Sequence, residues 1–266
     1  MRTVAAALSI AAGAMLVAGC EQSGEPPAKA ADVSAKEDAA VTAQPMPPMP
    51  AVGAIFLGGT DTHTCTGAVV RSQPRNLVLT AAHCLAEGYP ATFVPGFNDK
   101  AAPGNVWTVD AVYLDPRWVA TQDPKADYAF LRVNRPQGGP VEAVAGNAPS
   151  LGFTPADFSG VTVIGYPLGV GGGPIGCDTI AGSEGSGFQS LQCGGMVDGT
   201  SGAPWIRGRE IIGVIGGLDG GGCEDSVSYS APFDDQTARL LARAEAGGPG
   251  DAAPNTFDSQ CPVTGG

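Results

Sequence analysis

Short apolar runs recur along most of the chain: Val52 to Leu57, Thr66 to Val70, Leu77 to Thr80, Val106 to Leu114, Tyr128 to Val133, Val161 to Gly165, Ile211 to Ile215 and Val227 to Ala231. Each is about strand length, and most are bounded by Gly, Pro, Asn or Asp, which end a strand and start a turn. The pattern predicts an all-β barrel or sandwich beginning near residue 51. One segment has a different character. Residues 234–246 open with Asp234-Asp235, have no β-branched run and stop at Gly247-Gly248-Pro249, so they predict a single helix. A tail at 247–266 follows, rich in Gly, Ala, Pro and Asp and carrying Cys261.

Upstream of the apolar runs the chain changes twice. Residues 20–50 show neither the helix nor the strand period and carry many Pro and Ala. Too little apolar surface is available there to offset the entropy of ordering, so the stretch predicts a disordered tether. Residues 1–19 have a basic start at Arg2 and an apolar run to Val17, and Leu16-Val17-Ala18-Gly19 leads into Cys20. This resembles a bacterial lipoprotein signal peptide, in which the cysteine is acylated and becomes the mature N-terminus. The run is too short for a membrane-spanning helix, which needs about 20 apolar residues. An exported chain at the bacterial cell envelope, lipid-anchored through Cys20 on the periplasmic or extracellular face, is the expectation. Disulfides are then allowed.

Composition narrows the function. Lys+Arg 14 against Asp+Glu 26 gives a net charge of −12, with no basic stripe. That excludes a nucleic-acid partner, which needs clustered cations to neutralise phosphates. Gly 40 and Pro 23 in 266 residues disfavour a helical bundle and suit strands joined by turns.

Two histidines limit the general bases. His83 lies in Leu79-Thr80-Ala81-Ala82-His83-Cys84, at the end of an apolar run, where small neighbours let a ligand approach the imidazole. Taken alone, a His before a Cys is more often a core or metal residue than a catalytic one. His63, in Asp61-Thr62-His63-Thr64, reads as an exposed loop residue. Asp127 opens the run Tyr128 to Val133; a carboxylate there needs partners if it is buried, and otherwise serves a turn. Ser201 lies in Gly199-Thr200-Ser201-Gly202-Ala203-Pro204-Trp205. Glycines on both sides free the backbone to turn sharply and aim successive amides at one point, as an oxyanion requires.

In this order, Thr80-Ala81-Ala82-His83-Cys84, Asp127-Tyr128-Ala129-Phe130-Leu131 and Gly199-Thr200-Ser201-Gly202 resemble the motifs of the chymotrypsin-like serine peptidases, and of their bacterial branch around the serine. The resemblance runs from about Val52 to Ala246, so that 51–246 form the peptidase domain. It implies a double six-stranded β-barrel with a C-terminal helix and a catalytic triad of His83, Asp127 and Ser201. It also implies an oxyanion hole from the amides of Gly199 and Ser201; no Cys and His spacing fits zinc, and no cofactor and no metal are expected. A monomer acting on protein or peptide substrates is expected, and the competing reading is a homologue that binds a peptide without cutting it. Thr200 stands where animal digestive members carry the Asp that pairs with a freed amino terminus, so activation by that ion pair is not available. Ala203 stands where many relatives have Gly.

The resemblance assigns the pocket floor to Gly195 and its wall to Gly216, Gly217 and Leu218. No acidic residue occupies the floor, which argues against a strong Lys or Arg preference at the residue preceding the cut. Cys65 and Cys84 match the bridge that pins the histidine loop. Cys177, Cys193, Cys223 and Cys261 allow three pairings. The resemblance to the bacterial branch favours Cys177 with Cys193, leaving Cys223 with Cys261, and the alternative, Cys193 with Cys223, copies a bridge beside the pocket in animal members.

Overall fold

The computed structural model describes residues 41–183, 186–255 and Cys261. Cys20 and the signal-like segment fall outside the described residues. The strands are β1 (Gln44–Pro45), β2 (Val52–Leu57), β3 (Thr62–Val70), β4 (Leu77–Thr80), β5 (Ala91–Pro95), β6 (Trp107–Leu114), β7 (Ala129–Asn134), β8 (Ser150–Leu151), β9 (Ser159–Gly165), β10 (Gly169–Val170), β11 (Ile175–Ser183), β12 (Gln189–Gln192), β13 (Pro204–Arg207), β14 (Glu210–Val214) and β15 (Val227–Ser230). The helices are α1 (Pro116–Thr121), α2 (Val141–Ala145) and α3 (Asp235–Ala246).

Six strands close a first barrel in the order β3-β2-β5-β6-β7-β4, the ring being completed by β4 on β3, with β10 added at the edge of β3. The second sheet runs β15-β12-β11-β9-β13-β14, with β8 beyond β14 and β1 on β11. These two barrel-like sheets match the expected double β-barrel. The first is filled by Ile55, Val69, Val78, Phe93, Trp107 and Leu131, and the second by Val163, Leu191, Trp205 and Ile212. A third cluster joins them: Leu77, Tyr128 and Phe130 from one side meet Ile164, Tyr166 and Val214 from the other. Each fully buried aliphatic or aromatic side chain contributes roughly 1.5–3 kcal/mol of burial, so this seam holds the barrels in register.

Helix α3 closes the seam with Leu240 and Ala244. Its start is fixed locally, because Asp234 accepts from the amides of Gln236 and Thr237 while the Thr237 hydroxyl accepts from the Asp234 amide. That reciprocal cap satisfies amides with no partner inside the helix. The two shorter helices, α1 and α2, are too brief to show a helical period. Asp115 followed by Pro116 starts α1, and Gln122 in the left-handed region (φ 52°) ends it.

The tether boundary differs from expectation. Residues 41–50 are bound to the second barrel: Ala43 N–H donates to the Gly194 carbonyl at 2.7 Å, Gly194 N–H to the Val41 carbonyl at 2.8 Å, and Met46 N–H to the Pro174 carbonyl at 2.9 Å. Met46 and Met49 pack on the inter-barrel seam. An open strand edge offers unpaired backbone groups that even a Pro-flanked segment can use, and composition does not reveal that pairing.

Candidate active site

Strand β4 delivers Ala81 and Ala82, both fully buried, into a single tight turn that carries His83. The Cys65–Cys84 disulfide ties that turn to β3. Asp127 follows another tight turn, Pro124–Ala126, which Asp123 caps by accepting from the Lys125 amide. Asp127 is fully buried and fully partnered. Its Oδ1 accepts the His83 backbone N–H at 2.9 Å, and its Oδ2 lies 2.7 Å from His83 Nδ1 and accepts the Gly217 N–H at 2.7 Å. These contacts offset the cost of burying a carboxylate. A carboxylate can only accept, so the ring proton sits on Nδ1 and Nε2 presents the lone pair.

The serine turn depends on two glycines. Gly199 has φ 90° and Gly202 φ 80°, conformations that side-chain-bearing residues rarely adopt. A Cβ on Gly199 would lie 2.0 Å from the Leu168 nitrogen, and one on Gly202 2.2 Å from the Thr66 carbonyl oxygen. Thr200 turns inward, its hydroxyl donating to the Val197 carbonyl at 2.7 Å. The amides of Gly199 and Ser201 are engaged by no other group among the described residues. They are free to bind an anion.

Thr66, buried in β3, holds this turn and went unnoticed in the sequence. Its amide donates to the Ser201 carbonyl at 2.8 Å and its hydroxyl to the Gly199 carbonyl at 3.1 Å, while the same hydroxyl accepts the Tyr166 amide at 2.8 Å. Its carbonyl accepts the Thr80 hydroxyl at 2.7 Å. One residue thus links the serine turn to β4 and the start of the histidine turn.

His83, Gly199 and Ser201 line one open cleft of about 690 Å³. Met196, Val197, Ile215 and the segment from Asp219 to Gly222 form another part of its wall. The expected pocket residues lie differently. Gly195, in the left-handed region, sits by Thr42 and Ala43, and Gly216 is tucked against Asp127 and Ala81. Gly217 serves Asp127 through its amide. None of these three, nor Leu218, lines the cleft; Met196 and the 219–222 segment do. A register through five glycines in Gly216-Gly217-Leu218-Asp219-Gly220-Gly221-Gly222 gives no side-chain pattern that would separate wall from support.

His63 is a strand residue of β3, only 2% exposed, and not the exposed loop residue expected. Its ring meets Phe56, Phe97 and Tyr166 edge-on, and its Nε2 lies 2.8 Å from the Gly171 carbonyl oxygen. Alternation of polar residues on a sheet whose other neighbours are aromatic hid this burial. Cys65, His83 and Cys84 approach one another closely, but both sulfurs are bound in the disulfide and offer no thiolate to a metal. The other bridges are Cys177–Cys193 and Cys223–Cys261, the favoured pairing of the three that the four cysteines allow.

Behind the site lies a buried polar knot. Asp115 accepts from the Arg117 amide, Nε and Nη2 and from the Tyr128 hydroxyl. Burial pushes the Asp115 carboxyl up, and the bonds from Arg117 and Tyr128 outweigh it, leaving the group below its ordinary value. Burial also drives the Tyr128 hydroxyl well above its usual range, so it remains a donor. Tyr128 adjoins Asp127 in sequence, and the knot fixes the backbone that carries the carboxylate.

Two barrels meeting at a seam, with His83 and Ser201 lining one cleft and Asp127 buried behind His83, form the arrangement of the serine peptidase fold. Residues 65–214, more than half of the chain, match the model of the trypsin-like peptidase domain, and the chain belongs to that family. Among solved structures it is similar to the protease Anisep from Arthrobacter nicotinovorans, at 26% identity and a TM-score of 0.67 over 77% of this chain and 100% of that one. A thermostable serine protease, AL20, from an extremophilic microorganism matches at 22% identity and a TM-score of 0.65, over 75% of this chain and 99% of that one. Human heparin binding protein shares the fold at 17% identity and a TM-score of 0.61, covering 80% of this chain and 100% of that one. No curated protein matches the chain in sequence.

Proposed function

We propose that the chain is a serine endopeptidase. Ser201 Oγ attacks the carbonyl carbon of a peptide bond and its proton passes to His83 Nε2. The amides of Gly199 and Ser201 hold the resulting oxyanion. The C–N bond then breaks, the proton on His83 goes to the leaving amine, and water releases the acyl group by the same steps. Asp127 keeps His83 in the tautomer this needs and stabilises the imidazolium. The observation that carries the reading is the two-point hold of Asp127 on His83, in a cleft that Ser201 lines beside two unengaged amides. Retention of all three side chains weighs against the non-cutting homologue.

The preference at the cut is for small or apolar residues, since Met196, Val197 and Ile215 line the cleft beside Ser201, with the carboxylates Asp198, Asp219, Glu224 and Asp225 also on its wall. No proteolytic activation is required: Thr200 carries no charge to pair with a new terminus, and Val41 and Ala43 are already bonded to Gly194 in the uncut chain. The sequence around Cys20 and the three bridges are in keeping with a lipid-anchored protein of the bacterial cell envelope. Incubation of the chain, without any processing protease, with denatured casein and with peptides varied before the scissile bond tests this. Cleavage after small or apolar residues, absent in Ser201→Ala, is expected; no cleavage by a folded wild type would contradict it.

A further inference from the structure

Beyond α3 the chain comes back to the cleft at Cys261. After α3 the tail docks on β6: the Asp251 amide donates to the Val112 carbonyl at 2.7 Å, the Asp251 carboxylate accepts the Leu114 amide at 2.7 Å and pairs with Arg243, and Ala253 enters the first core. Cys261 then lines the cleft together with Ser201 and His83, and is bonded to Cys223 on its rim. Its sulfur lies 3.6 Å from the Asp219 carbonyl oxygen and 3.8 Å from that of Gly222.

The wall it touches has little of its own to hold it. Asp219, Gly220, Gly221 and Gly222 are successive left-handed residues, with φ of 52°, 70°, 114° and 125°. Three of the four have no side chain to pack, and glycine loses more conformational freedom on ordering than any other residue. Gly221 lies directly on Ile215 and Gly216, where a Cβ would come within 2.8 Å of Ile215 Cγ2. The segment therefore rests on the strand end that leads to Gly217 and its bond to Asp127. A covalent link one residue beyond Gly222 restrains it from the outside.

We propose that Cys261 is a structural part of the substrate-binding wall, a positioning residue that holds the 219–222 segment in its binding conformation through Cys223. The proposal rests on the peptidase reading for its kinetic part only. Losing such a restraint removes binding common to substrate and transition state, which raises KM and spares kcat. A small phosphonylating probe, which needs only the serine, the histidine and the oxyanion amides, does not sense the wall.

The test compares full-length wild type with Cys261→Ser, Cys223→Ser and the double variant. We expect KM for a peptide spanning several residues on each side of the cut to rise about tenfold, equivalent to about 1.4 kcal/mol of lost binding, with kcat and fluorophosphonate labelling unchanged. Amide hydrogen exchange is expected to quicken at 218–222 and to stay slow across β7. Unchanged KM and unchanged exchange at 218–222 would overturn the proposal. Failure of the variants to fold would overturn it too, by making the bridge a brace of the whole domain. If wild type neither cleaves nor labels, the peptidase reading falls, and the exchange measurement still decides whether Cys261 braces the wall.

Discussion

Asp127 grips His83 at two points, its Oδ1 accepting the backbone N–H at 2.9 Å and its Oδ2 lying 2.7 Å from the ring Nδ1. One contact fixes where the residue sits and the other fixes which ring nitrogen carries the proton. Asp127→Asn keeps the shape but presents an amide N–H toward the ring or the Gly217 amide, so the tautomer or the wall must give. The expected result is a fall in kcat on the order of 10⁴ with KM little changed, read from steady-state hydrolysis of a peptide ester. A loss below tenfold would mean that the hold is structural only.

Thr66→Val tests the link between the barrels and the serine turn. The substitution removes the hydroxyl that donates to the Gly199 carbonyl and accepts the Tyr166 amide, leaving both buried groups without that partner. A destabilisation of about 1–3 kcal/mol in denaturant unfolding is expected, with a lower kcat. Thr66→Ser keeps the hydroxyl and should retain most of both.

Gly199→Ala meets two penalties, a positive φ and a Cβ 2.0 Å from the Leu168 nitrogen. The turn must shift to relieve them, and the amide aimed at the oxyanion shifts with it. Loss of one such donor typically costs about 10² to 10³ in kcat, and that is the loss expected from turnover measurements. A variant with wild-type turnover would show that the Gly199 amide does not serve the reaction.

Asp115 sets an acid dependence. Its carboxyl is held below its ordinary value of 3.8 in the folded chain, so it stabilises the fold above that value, and that stabilisation is lost as pH falls through the lowered folded value. Asp115→Asn should therefore lower the melting temperature at pH 7, and the gap to wild type should shrink below about pH 4. Melting curves across pH check the sign; a gap that widens in acid would contradict it.

The fold was legible where buried strands read as unbroken apolar runs, as in Leu77–Thr80, and where a capped segment ended in glycines, as in Asp235–Ala246. It was not legible in β11, whose Gly, Asp and Thr residues give no hydrophobic signal although its backbone pairs with β9, β12 and β1. His83, Asp127 and Ser201 stood out because local motifs surround each of them. Thr66 did not, because its work is hydrogen bonding to Gly199, Ser201 and Tyr166, far away in sequence. The cleft wall escaped for a related reason: glycine-rich backbone carries its information in φ angles and in a distant cysteine.

The most direct test of the account is covalent labelling of the folded chain by a fluorophosphonate, with the modified residue located by peptide mass spectrometry. The account predicts one adduct, on Ser201, that forms in wild type, disappears in Ser201→Ala and slows sharply in His83→Ala. No adduct on a folded wild type, or an adduct that persists in Ser201→Ala, would contradict it.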